Sequence, residues 1–194
     1  MNRARVFGLF FLCLSAGLSA QVIQEIPPPV RPEDFILVMT ITVPGGPGWT
    51  DTGMEVAEGG EFWFEASGSI SLQKGNPEAD CGPEGLKLRT MQQPVLEQNL
   101  GCLVGKVRFK MDVIEDKETG EKRVREYGET FFIGRSGPAI MPVGGRLLLG
   151  PNENVAGDND GAFVVLVYIR KSDLCSRSCG RGIFPGIGCC SFRR

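Results

Sequence analysis

The chain has 194 residues, with 21 Lys and Arg, 23 Asp and Glu, and no His. This balance supplies no surplus of cations for a phosphate backbone, which argues against nucleic acid as a partner. Without imidazole there is no Ser/His/Asp triad, no Cys/His pair and no His-ligated zinc, which excludes the commonest hydrolase designs while leaving carboxylate or tyrosine chemistry open.

The first 20 residues read as a secretory signal peptide. Arg3 and Arg5 give a basic start, residues 6–14 are an almost unbroken apolar run, and mostly small residues lead to Ala20, where cleavage is expected. The run is shorter than the roughly 20 residues of a membrane span. The expected location is therefore secreted or periplasmic. Losing Arg3 and Arg5 lowers the basic count from 21 to 19 against 23 acids, a net charge near −4. Cys13 leaves with the signal, and Cys81, Cys102, Cys175, Cys179, Cys189 and Cys190 remain. An even number in an exported chain points to disulfides.

Residues 21–34 carry Pro27, Pro28, Pro29 and Pro32 and read as an extended spacer. Six segments then read as strands: 35–43, 61–66, 100–109, 129–134, 145–150 and 162–170. The first is rich in β-branched and apolar residues, and each is bounded by Gly, Pro, Asn or Asp, as strands are. In 61–66 the alternation sets Phe62, Phe64 and Ala66 on one face and Trp63 on the other. No segment holds a helical period. The pattern predicts an all-β, antiparallel sandwich over residues 35–170. Segments 107–114 and 122–127 flank the charged turn Glu115-Asp116-Lys117-Glu118-Thr119-Gly120, which predicts a solvated hairpin inserted into that domain.

Residues 171–194 form a Gly-rich, basic tail with Cys175, Cys179, Cys189 and Cys190. It has too little apolar material for a core, so cross-links must order it. Neighbouring cysteines seldom bridge each other. The expected pairing therefore joins Cys175 and Cys179 to Cys189 and Cys190, and leaves Cys81 for Cys102. A four-cysteine zinc site is the competing reading, disfavoured by an oxidising compartment.

The segment Asn152-Glu153-Asn154-Val155-Ala156-Gly157-Asp158-Asn159-Asp160-Gly161 gathers oxygen-bearing side chains and contains no Lys or Arg. Calcium takes about 6–8 oxygen ligands, and a bent loop can present several. The same residues also serve any tight connection. The spacing is not that of an EF-hand, because Phe163 falls where the bidentate Glu belongs. Glu153, Asp158 and Asp160 bring three acids into one loop, whose mutual repulsion a cation would offset.

A wider pattern surrounds this loop. It comprises Trp49-Thr50-Asp51-Thr52-Gly53-Met54-Glu55-Val56, Gly59-Gly60, residues 62–66 and Ser67-Gly68-Ser69-Ile70. Gly82-Pro83-Glu84-Gly85, Gly101-Cys102-Leu103-Val104-Gly105-Lys106-Val107, Phe132-Ile133-Gly134, and Gly145-Arg146-Leu147-Leu148-Leu149-Gly150 followed by Gly161-Ala162-Phe163-Val164-Val165 complete it. In that order these pieces resemble the galactophilic bacterial lectins of the LecA type over most of residues 49–170. The resemblance implies a jelly-roll-like β-sandwich holding one Ca²⁺ at a loop edge, where the ion takes two sugar hydroxyls. By position it implies side-chain oxygens from Glu153, Asp158 and Asn159, and main-chain carbonyls near Val155 and Leu72. Glu153 and Asp158 would also accept hydrogen bonds from the sugar, with Arg89 and Gln92 bordering it. The family usually has Asp at the position of Glu153 and often His at that of Arg89. The charged hairpin and the cysteine tail have no counterpart in it.

Two further readings compete. Asp51, Glu55, Glu61 and Glu65 invite a glycosidase carboxylate pair, but Glu61 and Glu65 fall opposite Phe62 and Phe64 on a face expected to be solvated. Trp49 and Trp63 could stack on sugars, and as strand residues are expected to pack instead. The sequence thus predicts a secreted, non-catalytic, calcium-dependent binder of carbohydrate, galactose-like if the resemblance extends to specificity. Its alternative is a structural or adhesive sandwich that has lost the sugar.

Overall fold

The computed structural model describes residues 31–173 apart from 47, 116–121 and 156. The predicted signal peptide, most of the proline-rich spacer, the tip of the charged hairpin and the four tail cysteines lie outside the described residues.

Among the described residues nine strands form two antiparallel sheets. They are β1 (Phe35–Pro44), β2 (Thr50–Val56), β3 (Glu61–Ser71), β4 (Asp80–Cys81), β5 (Leu103–Glu115), β6 (Lys122–Phe132), β7 (Ser136–Ile140), β8 (Gly145–Pro151) and β9 (Asp160–Arg170). The first sheet runs β1-β9-β3-β4, with β7 paired to β3, and the second runs β2-β8-β5-β6. The only named helical element among the described residues is the 3-10 turn Pro77–Ala79, capped by Asn76. The expected antiparallel sandwich is the fold of the described residues.

Period-two burial explains the layers. Phe62, Phe64, Ala66 and Ile70 of β3, with Phe163, Val165 and Val167 of β9, face Met54, Val56, Leu103, Val107, Leu147 and Leu149 of the second sheet in one core. Trp63 points the other way, as its place in the alternation requires, and is buried with Phe35 and Tyr168 on the outer face. Phe131 lies over Gly105, its cross-strand partner, where any Cβ would collide with the ring.

The hairpin is not an insertion between separate strands. β5 and β6 are continuous through it, 13 and 11 residues long, with an extra β5 residue between Arg108 and Lys110. The bulge lets one strand pass from sheet to projecting ribbon without a turn. β7 was missed by the sequence reading because Gly137 and Pro138 resemble a loop; at the sheet margin a proline is tolerated.

Candidate functional site

The 152–161 loop joins β8 to β9, and three neighbouring segments hold it. Gly45, after β1, exchanges backbone contact with Gly161 through a 2.9 Å N–H···O bond. A Cβ at Gly45 would lie 2.6 Å from the Asp160 carbonyl, so a glycine is needed for this approach. The Lys74 N–H, just beyond β3, donates to the Asp158 carbonyl at 2.9 Å. Asn152 N–H donates to Cys102 O at 2.7 Å, and Gly101 N–H to Asn152 O at 3.2 Å.

Asn152 is fully buried. Its Oδ1 accepts from Val95 N–H at 2.8 Å, and its Nδ2 donates to Val95 O at 2.9 Å and Asn99 O at 3.1 Å. Gln93, also buried, accepts from Thr90 N–H and donates to the carbonyls of Val95, Leu96 and Gln98. These two amides fold the 88–99 segment and fasten it to the residue preceding Glu153. The sequence reading missed both, because amides among turn formers carry no periodic signal of burial.

At the other end of the loop, Asn159 Nδ2 donates to Gly45 O and to Glu153 Oε2, each at 2.8 Å. Two acceptors on that side fix the amide's orientation, since turning it would set oxygen against oxygen. Asn159 Oδ1 is consequently directed elsewhere, buried and without a hydrogen-bond partner. An unpaired buried acceptor costs about 1–3 kcal/mol. Burial pushes the Glu153 carboxyl above the usual carboxylate range; the Asn159 N–H partly restrains this, and the Asp158 charge adds to it. The structure thus joins Glu153 to Asn159 by a hydrogen bond and sets the Asp158 charge near Glu153.

Asp160 departs from expectation. Its carboxylate meets Lys74 Nζ at 3.0 Å and accepts from Gly161 N–H at 2.8 Å, which holds it below the usual range. It is not a third uncompensated acid of the loop. Leu72 has its side chain in the core, and the Lys74–Asp158 bond brings its segment to the loop. Val155 is exposed near the loop's apex, and Arg89 and Gln92 are exposed on the segment that Gln93 and Asn152 anchor.

Among the described residues no three acidic, Cys or His side chains converge. The oxygens this loop could offer a hard cation are those of Glu153, Asp158 and Asn159, of which Asn159 Oδ1 is the buried one without a partner.

Beneath the loop lie Cys81 and Cys102, recorded as two buried thiols rather than as the expected bridge. Burial pushes Cys81 up to about 11, with the charges of Glu84, Glu153 and Asp80 adding to it, and burial pushes Cys102 up to about 12. The proposed glycosidase carboxylates all have partners. Asp51 binds Arg146 at 2.7 Å, Glu55 also meets Arg146, Glu61 meets Arg170, and Glu65 accepts from Tyr168 Oη. Trp49 packs beside Gly150 and under Lys106.

No family model matches the chain, and no curated protein matches it. Among solved structures it is similar to one described as "EclA N-terminal domain; PllA-like lectin", at 20% identity and a TM-score of 0.48, over 69% of this chain and 98% of that one.

Proposed function

We infer that this chain is an exported, non-catalytic carbohydrate-binding protein whose site is the 152–161 loop, and that binding depends on calcium. Asn159 Oδ1 carries the reading: a buried acceptor without a donor, in a loop that also carries the Glu153 and Asp158 carboxylates, is a polar arrangement that a cation would complete. Glu153, Asp158 and Asn159 would hold the ion by side-chain oxygens, with main-chain oxygens near Val155 and Leu72. A bound calcium ion offers open coordination positions to a sugar diol. Glu153 and Asp158 accept hydrogen bonds from the same hydroxyls, and the anchored 88–99 segment presents Arg89 and Gln92 at the rim. The resemblance to LecA-type lectins supports a galactose-like ligand.

The test is calorimetric titration with calcium, followed by glycan-array binding with and without chelator. Binding to both, lost in Asp158→Ala, is the expected result. The second reading, an adhesive or structural sandwich without sugar, is favoured by the Asn159–Glu153 hydrogen bond, through which the loop closes on itself. Calcium binding with no glycan signal selects that reading, and no calcium binding at millimolar concentration removes the lectin mechanism.

A further inference from the structure

An edge strand presents unpaired N–H and C=O groups to any second strand, and proteins blunt such edges with proline, short length or bulges. Four of the described edges are blunted in this way. β1 carries its own extra residue between Leu37 and Met39 and ends at Pro44. β2 is broken in register between Asp51 and Glu55. β4 has two residues, and β7 has five with Pro138 among them. β6 has none of these three; its defence is charge, which admits only a partner of complementary pattern. It is 11 residues long, contains no proline, and the bulge in its pairing lies on β5. Beyond Arg108, where β8 stops pairing, β5 and β6 continue as a two-stranded ribbon, which is marginal in water by itself. That ribbon leaves Met111, Val113 and Val124 about half exposed or more.

The charges of β6 are polar along its length: the bases Lys122, Arg123 and Arg125 all precede the acids Glu126 and Glu129. Glu126 is occupied by Lys106 and Arg108. Among the described residues Arg125 and Glu129 have no ion-pair partner, and four residues apart on a strand they share a face. We propose that β6 pairs antiparallel with β6 of a second copy of this chain, about a twofold axis at Tyr127. In that register Arg125 of each copy stands opposite Glu129 of the other, Val124 opposite Thr130, Glu126 opposite Gly128, and no like charges meet. Shifting the axis to Glu126 sets that acid against itself, and shifting it to Gly128 leaves no opposite-charge pair. Cross-strand charge pairs favour the first register, and the contact is isologous, so it closes at the dimer.

The test is sedimentation equilibrium of the whole protein across a concentration series, with circular dichroism confirming that each variant keeps the fold. The wild type should dimerise, more weakly at high salt. Arg125→Glu and Glu129→Arg should each weaken the dimer by roughly tenfold, and the double exchange should restore it. Val124→Pro, which blocks a strand edge without changing charge, should give monomer. A wild type that remains monomeric overturns the proposal, as does a dimer insensitive to all of these substitutions.

Discussion

Two asparagines seven residues apart in one loop have opposite fates. Asn152, at the β8 end, places its amide oxygen and both amide protons against the backbone of the 95–99 segment. Asn159, at the β9 end, uses its amide nitrogen on Gly45 and Glu153 and leaves a buried oxygen with nothing. The same side chain is thus a finished joint at one end of the loop and an incomplete set of bonds at the other. A buried polar group that is fully satisfied helps specify the fold, and one left unsatisfied costs stability and calls for a reason. The contrast separates what builds the loop from what the loop is proposed to hold.

The largest expected effect comes from the finished end. Asn152→Ala strands one donor and two acceptors and should destabilise the protein by about 3 kcal/mol, read by denaturant unfolding, with or without calcium. If the cost is only a few tenths of a kcal/mol, the 88–99 segment is held by other means. Next come the thiols beneath both ends. Joining Cys81 to Cys102 in a disulfide should stabilise by roughly 3 kcal/mol, since it closes the segment that Asn152 anchors. Thiol labelling of the unfolded, unreduced protein decides whether the bridge forms. Labelled Cys81 and Cys102 would show that packing alone secures that segment.

The unfinished end should respond to calcium instead. At 100 times its dissociation constant the ion should add about 2.7 kcal/mol of stability by mass action. Asn159→Ala should cost at most about 1 kcal/mol in chelator, because it removes the orphaned oxygen along with two hydrogen bonds, yet it should abolish the calcium increment. Thermal unfolding with and without calcium checks both. An increment retained in Asn159→Ala would place the ion elsewhere.

The strands that bury one face were legible in the sequence because hydrophobic alternation and burial share a cause. The Phe62/Phe64 face and the opposed Trp63 follow from period two alone. Where that period breaks, the sequence misleads: an extra residue between Arg108 and Lys110 shifts the β5 pattern, so one long strand reads as two shorter features. Oxygen density marks the loop in the sequence, and only the resemblance to LecA-type lectins singles out Glu153, Asp158 and Asn159 within it. Which acid remains uncompensated was not legible, because Lys74, which removes Asp160, arrives from another strand's end. Asn152 and Gln93 were hidden for the same reason, their partners being set by the fold.

The smallest effect sharpens the contrast with two glutamates. Glu84 is a finished group: burial alone would raise its pKa, but the two-pronged contact with Arg135, at 2.9 and 3.0 Å, outweighs it and holds the carboxyl below its ordinary value. Its stabilisation is therefore present above the unfolded pKa of about 4.3 and lost as pH falls through the folded value. Glu153 is shifted the other way. Its folded state binds the proton more tightly, so its contribution is fully present below the unfolded pKa and is lost as pH rises through the folded one. Measured in chelator at pH 7, Glu84→Gln should destabilise by about 0.2–1 kcal/mol, the worth of an exposed pair. Under the same conditions Glu153→Gln should stabilise, since the amide still accepts from Asn159 without the buried charge. Both differences should shrink as pH falls, that of Glu153→Gln first and that of Glu84→Gln only once pH passes below the lowered folded pKa of Glu84. If Glu153→Gln lowers stability at pH 7 in chelator, the carboxylate is already satisfied within the apo loop, and the asymmetry between its two ends does not hold.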